Sequence, residues 1–337
     1  MIIPVNLGEQ SYNIVLSRGA IKELSANLCL SRKALIVTDS GVPSEYASAV
    51  ASQCAEPYIY VIPEGEGSKS FDNYKALLSE LVARGFTRTD CVIAVGGGVC
   101  GDLAGFVASS YMRGIDFYNI PTTFLSQVDS SIGGKVAIDF MGVKNIVGAF
   151  YQPKCVVIDP DVLKTLDKRQ LSSGIAESIK MAANFDKELF ELLESTEDFL
   201  ADADEIIKRS LEIKRDVVEK DPKEKGLRRV LNFGHTVGHA IESHANLTLL
   251  HGECVSLGMI PMTGKSIRDR IVRVLKKYSL PTKTEYSSDS LISYVMHDKK
   301  KSGDEITVVL CNEIGTYEMK RIKADEMKKY IDGGLEK

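Results

Sequence analysis

Histidine both binds divalent metals and carries protons near neutral pH, and this chain concentrates it in one place. Four of its five histidines, His235, His239, His244 and His251, fall between Arg228 and Glu253, in RRVLNFGHTVGHAIESHANLTLLHGE. His235 and His239 stand one helical turn apart, so on a helix they share a face and, by spacing alone, are the pair able to grip one ion. A lone histidine on a half-apolar helix is better read as an ordinary core or surface residue. Four in one short run point to a metal or acid–base site.

Glu177 lies in SGIAESIK among small apolar residues, with Lys180 three positions on. A carboxylate on an apolar helix face needs a partner, and either a lysine or a metal ion would serve. Beside the histidines, Glu177 becomes the candidate third ligand. Two histidines and one carboxylate leave an open position on zinc, as catalytic sites do.

Two further stretches carry binding chemistry. In VIAVGGGVCGD, Gly96, Gly97 and Gly98 follow an apolar run and open an expected helix. Glycines there let the backbone approach a phosphate, and a helix N-terminus supplies free N–H groups. The run lacks the G-x-G-x-x-G register, so a tight turn explains it as well. Thr38-Asp39, Glu64-Gly65-Glu66 and Pro121-Thr122-Thr123 end other apolar runs, and such loops gather at one edge of an open α/β sheet. The second stretch, QVDSSIGGKVAIDFMGVKN, holds Asp129, Lys135, Lys144 and Asn145 around a Gly-Gly pair. It suits an anionic substrate, or equally a polar surface hairpin.

The elements that must position these residues follow from the pattern. Met1 to Leu16 alternates like a strand pair with a turn at Gly8 and Glu9. The β-rich runs 34–39, 58–62 and 91–95 alternate with helical stretches from Pro43 to about Ala51 and from Ser70 to Ala83. That order implies a parallel sheet with helices on both faces. From Asp161 to about Tyr278 the periodicity is helical, broken by the polar EKDPKEKG, with a hairpin (306–310, 316–322) and a closing helix after it. The expected fold is a Rossmann-like α/β domain over 1–157, then a mostly helical domain over 158–337.

Composition excludes several function classes. With 44% hydrophobic and 26% charged residues and a net charge of −4, the chain reads as soluble and globular. No apolar run reaches the roughly 20 residues of a membrane helix. It has no dense basic block for nucleic acid. Its first residues do not resemble a signal peptide, and its seven scattered cysteines form no C-x-x-C pair. The expectation is a cytoplasmic protein with neither a nucleic-acid nor a membrane partner.

Several long segments resemble the 3-dehydroquinate synthase family: GGGVCGDLAGFVAS, YMRG, IPTTFLSQVDSSIGGK, KNIVGAFYQP, GIAESIK, GLRRVLNFGHTVGHAIE and HGE. The resemblance implies an NAD- and metal-dependent homodimer, the metal zinc or cobalt, with its active site in the cleft between two domains. NAD would be held by Asp39, Glu66, Lys69, Gly97, Gly98, Val99, Asp102, Thr122, Thr123, Lys135, Lys144, Thr165 and Leu166. Glu177, His235 and His251 would hold the metal, against the pair that spacing nominates. Asp129, Lys135, Asn145, Lys180, Lys214, Arg228, Asn232, His239 and Lys299 or Lys300 would face the substrate. Arg113 would reach its phosphate from the neighbouring subunit.

The implied substrate is a small sugar acid phosphate, 3-deoxy-D-arabino-heptulosonate 7-phosphate. It would pass through transient oxidation by NAD, phosphate elimination, re-reduction and aldol closure to 3-dehydroquinate, in the shikimate pathway. Other sugar-phosphate cyclases (2-deoxy-scyllo-inosose and 2-epi-5-epi-valiolone synthases) are the nearest rivals, and Lys214, Arg228, Asn232 and His239 favour the carboxylated substrate. A polyol dehydrogenase or a non-catalytic regulator is further off. The chain departs from the family at Met141-Gly142-Val143, where Pro-Leu-Gly is usual, at Asp167 for Pro, and at Gln170 for Glu.

Overall fold

The computed structural model describes residues 1–245, 248–299 and 305–335. The chain divides into two compact units, Met1–Leu166 and Asp167–Lys337. The sequence pattern put the division at 157/158. Residues 158–166 stay with the first unit because Asp159 ties them there. Its carboxylate accepts from the backbone N–H of Gly19 and Ile21, at 3.0 and 3.2 Å, and its carbonyl accepts from Gln127 Nε2.

The first unit opens with β1 (Ile2–Val5) and β2 (Tyr12–Leu16), an antiparallel pair turned through Gly8–Gln10. Next come β3 (Lys33–Asp39), α1 (Ser44–Ala51), β4 (Glu56–Ile62), α2 (Phe71–Ala83), β5 (Cys91–Gly96), α3 (Gly98–Ser110) and β6 (Asp116–Pro121). The hairpin β7 (Lys135–Phe140) and β8 (Val143–Phe150) precedes β9 (Cys155–Ile158). Seven strands form one sheet in the order β1-β2-β9-β6-β5-β3-β4, parallel throughout except for β1 with β2.

Alternate side chains of β3 enter opposite cores. Ile36 joins Leu24, Val50, Ile93 and Val157 on one face, while Leu35 and Val37 join Leu77, Leu81, Val92 and Leu103 on the other. Each such side chain, fully buried, contributes about 1.5–3 kcal/mol. This is why β5, buried along its whole length, is a near-continuous apolar run. The chain leaves β4 at the sheet edge and returns to β5 on the far side of β3. At such a reversal of strand order an open sheet presents a crevice at its carboxyl ends.

The polar run from Gln127 to Asn145 divides in two. Ser126–Ser130 is a wide helical turn with Ser126, Gln127 and Val128 buried, and only the remainder is the hairpin. Met141 and Gly142 form its tip with φ of 50° and 77°. Two positive φ values in a two-residue loop are what a type I′ turn requires, so the departure from Pro-Leu-Gly suits a tight hairpin.

The second unit contains α4 (Lys168–Phe185), α5 (Lys187–Ser195), α6 (Phe199–Lys220), α7 (His235–His244), α8 (His251–Met259), α9 (Lys265–Lys277) and α10 (Ser288–Lys299). The hairpin β10 (Glu305–Leu310) and β11 (Glu318–Lys323) and the closing α11 (Met327–Gly334) complete it. Asp167, the second departure, caps α4 by accepting from the N–H groups of Arg169 and Gln170. From Ser173 to Asn184, α4 is buried on all sides. Among the described residues, no helix is long and apolar enough to cross a membrane.

Candidate active site

Two glycines decide how closely the site-bearing helices approach. A Cβ on Gly252 would sit 1.8 Å from the Ser173 carbonyl oxygen, and one on Gly258 would sit 1.9 Å from that of Gly234. Backbone therefore meets backbone where α8 crosses α4 and α7. The first contact is fastened by the Gly252 N–H, which donates to Ser173 Oγ at 3.0 Å. Glu253 steadies the start of α8: its carboxylate accepts from the Leu250 N–H at 2.7 Å and takes both arms of the Arg169 guanidinium. Glu177 of α4, His235 of α7 and His251 at the first position of α8 meet as a result.

Glu177 is completely buried. The Lys180 ammonium contacts its Oε2, while His251 Nε2 and His235 Nε2 lie 3.5 and 3.8 Å from its Oε1. Neither carboxylate oxygen has a hydrogen-bond partner of normal geometry among the described residues. Burial raises the carboxyl's pKa, but the Lys180 charge and the two imidazoles outweigh it and hold the group well below the usual range. Burial, aided by Lys180, pulls His235 well below the ordinary histidine value. His251 is lowered by burial yet raised more by the carboxylates of Glu177 and Glu242 on either side of it, reaching about 10.

Two trios of donors each fall within 4.8 Å: Glu177, His235 and His251, and His239, Glu242 and His251. The first is the trio implied by the resemblance; the pair nominated by spacing is divided between the two. His235 Nδ1 lies 3.2 Å from the Phe233 carbonyl. A carbonyl only accepts, so Nδ1 carries the proton and Nε2 presents its lone pair towards Glu177. His244 belongs to neither trio: its Nδ1 donates to the Ala240 carbonyl, and its ring packs near Tyr286 and Tyr294. Glu242 was missed in the sequence. Its signal was its position, three residues after His239 and so on the same helix face.

The other candidates of the second unit occupy varied settings, Lys180 and His239 beside this centre. Lys180, Lys214 and Arg228 are buried, Asn232 is half-buried and His239 is exposed. Arg228 Nη1 donates to the Pro222 carbonyl, and Asn232 Nδ2 donates to Glu224. Asp221 accepts three backbone N–H groups, of Lys225, Gly226 and Arg228, which fixes the loop before Arg228. Lys299 ends α10, and Lys300 lies outside the described residues.

In the first unit the candidates gather at the carboxyl ends of neighbouring parallel strands. Asp39 ends β3, Glu66 and Lys69 follow β4, Gly97, Gly98 and Val99 follow β5, and Thr122 and Thr123 follow β6. Gly97 is the N-cap of α3 with no side chain capping it, so the first N–H groups face outward. A Cβ there would reach 3.0 Å from Thr123 Cγ2. Lys69 is buried, with Nζ 2.8 Å from Asp102 Oδ2, 3.5 Å from Glu66 Oε1 and in contact with Asn145 Oδ1. The Asn145 N–H donates to Asp139, whose own N–H donates to the Lys69 carbonyl.

The remaining candidates are more scattered. Asp129 lies in the wide turn, Lys135 starts β7 and Lys144 is exposed on β8. Thr165 pairs with the Tyr46 hydroxyl at 2.8 Å, and Leu166 ends the unit. Arg113 is exposed beside Met112, both in left-handed backbone with φ of 71° and 49°.

Comparison with known proteins gives this arrangement a family. The sequence model described as 3-dehydroquinate synthase N-terminal matches residues 59–173, and that described as 3-dehydroquinate synthase C-terminal matches residues 174–301. The chain belongs to the 3-dehydroquinate synthase family. The 3-dehydroquinate synthase of Enterococcus faecalis (strain OG1RF) is 41% identical, covering 99% of this chain and 100% of that relative. Among solved structures, a 2-epi-5-epi-valiolone synthase from Streptomyces hygroscopicus with NAD+ and Zn2+ bound is similar at a TM-score of 0.86 and 28% identity, over 97% of this chain and 98% of that one. A 2-deoxy-scyllo-inosose synthase complexed with carbaglucose-6-phosphate, NAD+ and Co2+ has the same fold, at a TM-score of 0.89 and 24% identity over 99% and 100%.

Proposed function

We propose that this enzyme converts 3-deoxy-D-arabino-heptulosonate 7-phosphate into 3-dehydroquinate and phosphate, with NAD and a divalent metal, zinc or cobalt, as resident cofactors. The observation that carries the reading is the buried Glu177 carboxylate, its oxygens without normal hydrogen bonds and two imidazole nitrogens beside one of them. A buried carboxylate in that state is stabilised by an ion, and two nitrogens with one oxygen form a donor set suited to zinc or cobalt. Glu177, His235 and His251 would hold the metal. The uncapped start of α3 and the close Gly97–Thr123 approach fit a nucleotide's phosphates, so Gly97, Gly98, Thr122 and Thr123, with Asp39, Glu66 and Lys69, would hold NAD.

When bound, NAD supplies a reversible hydride acceptor and the metal a Lewis acid. The chain's own groups do the rest. Lys135, Lys180, Lys214, Arg228 and Arg113 offset the charge of the substrate's phosphate and carboxylate. Asp129, Asn145 and Asn232 orient its hydroxyl groups. The exposed imidazole of His239 lies outside the proposed ligand set and carries the proton that the departing phosphate oxygen needs, a role worth about 10²–10⁴ in rate.

The enzyme works as a homodimer, completed by Arg113 of one protomer in the site of the other. The β7–β8 hairpin supports this, with Met141, Val143, Ile146 and Phe150 exposed on the same unit as Arg113 and Met112. Exposed apolar side chains on a hairpin suit contact with a second copy. Its compartment is the cytoplasm, in keeping with seven cysteines that form no disulfide among the described residues. The test of the reaction is phosphate release from the heptulosonate phosphate in trace NAD. Many turnovers per NAD are expected, whereas NADH formed in step with product overturns the reading.

A further inference from the structure

His251 is held at both ends of its ring, and the two ends face different carboxylates. Nε2 points to Glu177 Oε1 at 3.5 Å, whereas Nδ1 points to Glu242 Oε2 at 3.3 Å. Glu177 lies at full burial, but Glu242 stands nearer the rim, its side chain 14% exposed. The two carboxylates therefore cannot have the same role. Removing an ion from Glu177 would leave its buried Oε1 without a normal hydrogen bond and only the Lys180 ammonium at Oε2, whereas Glu242 already has the His251 N–H to accept.

His235 points to the same division of roles. Its Nδ1–H donates to the Phe233 carbonyl, which leaves Nε2 as its lone-pair nitrogen on the Glu177 side. His251 repeats the arrangement, with the Glu242 carboxylate in the place of the carbonyl. An imidazole whose Nδ1 proton is accepted by an oxygen keeps one tautomer and one ring orientation, and its other nitrogen becomes a better ligand.

We infer that Glu242 is a positioning residue of the metal centre: it accepts the Nδ1–H of His251 and so turns Nε2 towards the ion that Glu177 and His235 share. This rests on the metal site proposed above and adds to it a residue that the first trio lacks. The second trio, His239 with Glu242 and His251, is then a consequence of crowding around one imidazole and not a second ion site.

The test is Co2+ titration of the whole protein after chelator treatment, followed by the visible absorption of the bound ion. Parent, Glu242→Ala, Glu242→Gln and Glu177→Gln are compared. Glu242→Ala is expected to bind Co2+ ten- to a hundredfold more weakly. Glu242→Gln keeps a carbonyl oxygen for the Nδ1–H and should recover most of that loss, with the parent's Co2+ spectrum. Glu177→Gln should bind no stoichiometric metal. Unchanged affinity in Glu242→Ala overturns the inference while the metal site stands. A Glu242→Gln variant that is empty beside a loaded Glu177→Gln makes Glu242 a direct ligand and also overturns it. A parent that takes up no Co2+ overturns the metal site itself, and the inference with it.

Discussion

At the scale of single residues, Glu177 and the imidazoles beside it were only half legible in the sequence. The cluster was plain from composition, and Glu177 stood out as a carboxylate among small apolar neighbours. Spacing and geometry differ over the pairing. His235 and His239 share a helix face, but the nitrogen that joins His235 beside Glu177 comes from His251, on another helix. Periodicity describes one element at a time and is blind to a ligand carried by a second. The ligand set proposed here separates the two histidines by experiment. His251→Ala should lose both bound metal and activity, whereas His239→Ala should keep near-stoichiometric metal and lose about 10²–10⁴ in turnover. Metal analysis of the purified variants checks this; an empty His239→Ala beside a loaded His251→Ala would reverse the assignment.

At the scale of elements, strands and helices were read well wherever their periods were clean. The runs 34–39, 58–62 and 91–95 are β3, β4 and β5, and the stretch from Ser70 is α2 with Ser70 as its cap. The close helix crossings were not legible. Gly252 and Gly258 look like ordinary small residues until α4 and α7 are seen against them. Gly252→Ala should therefore lower thermal stability by about 1–3 kcal/mol through overpacking, and weaken metal binding because His251 is its neighbour. Gly67, which has nothing near a Cβ, is the control and should tolerate alanine. The α4 cap gives a separate expectation. Asp167→Ala leaves the N–H groups of Arg169 and Gln170 without their acceptor and should cost about 0.5–2 kcal/mol, measured by denaturant unfolding.

At the scale of the whole molecule, the class of fold followed from the order of elements, but the strand order did not. That β5 pairs with β3 and β6, while β4 lies at the edge, depends on contacts between segments far apart in sequence. The extent of the first unit was likewise hidden, because Asp159 holds its last turn through bonds to Gly19 and Ile21. The proposed dimer has its own test at this scale. An Arg113→Ala chain mixed with a Lys135→Ala chain should regain part of the activity, since each hybrid then holds one intact composite site. No recovery in dimers shown to exchange subunits would contradict sharing.

The proposed reaction returns NAD to its starting state in every cycle of phosphate elimination. It is tested most directly by following inorganic phosphate and absorbance at the NADH band together, with the heptulosonate 7-phosphate in large excess over added NAD. Phosphate should rise to many equivalents of NAD while the absorbance stays at its baseline. A rise in NADH that keeps pace with substrate consumed, with no phosphate released, would contradict it and make the protein a dehydrogenase on the same fold.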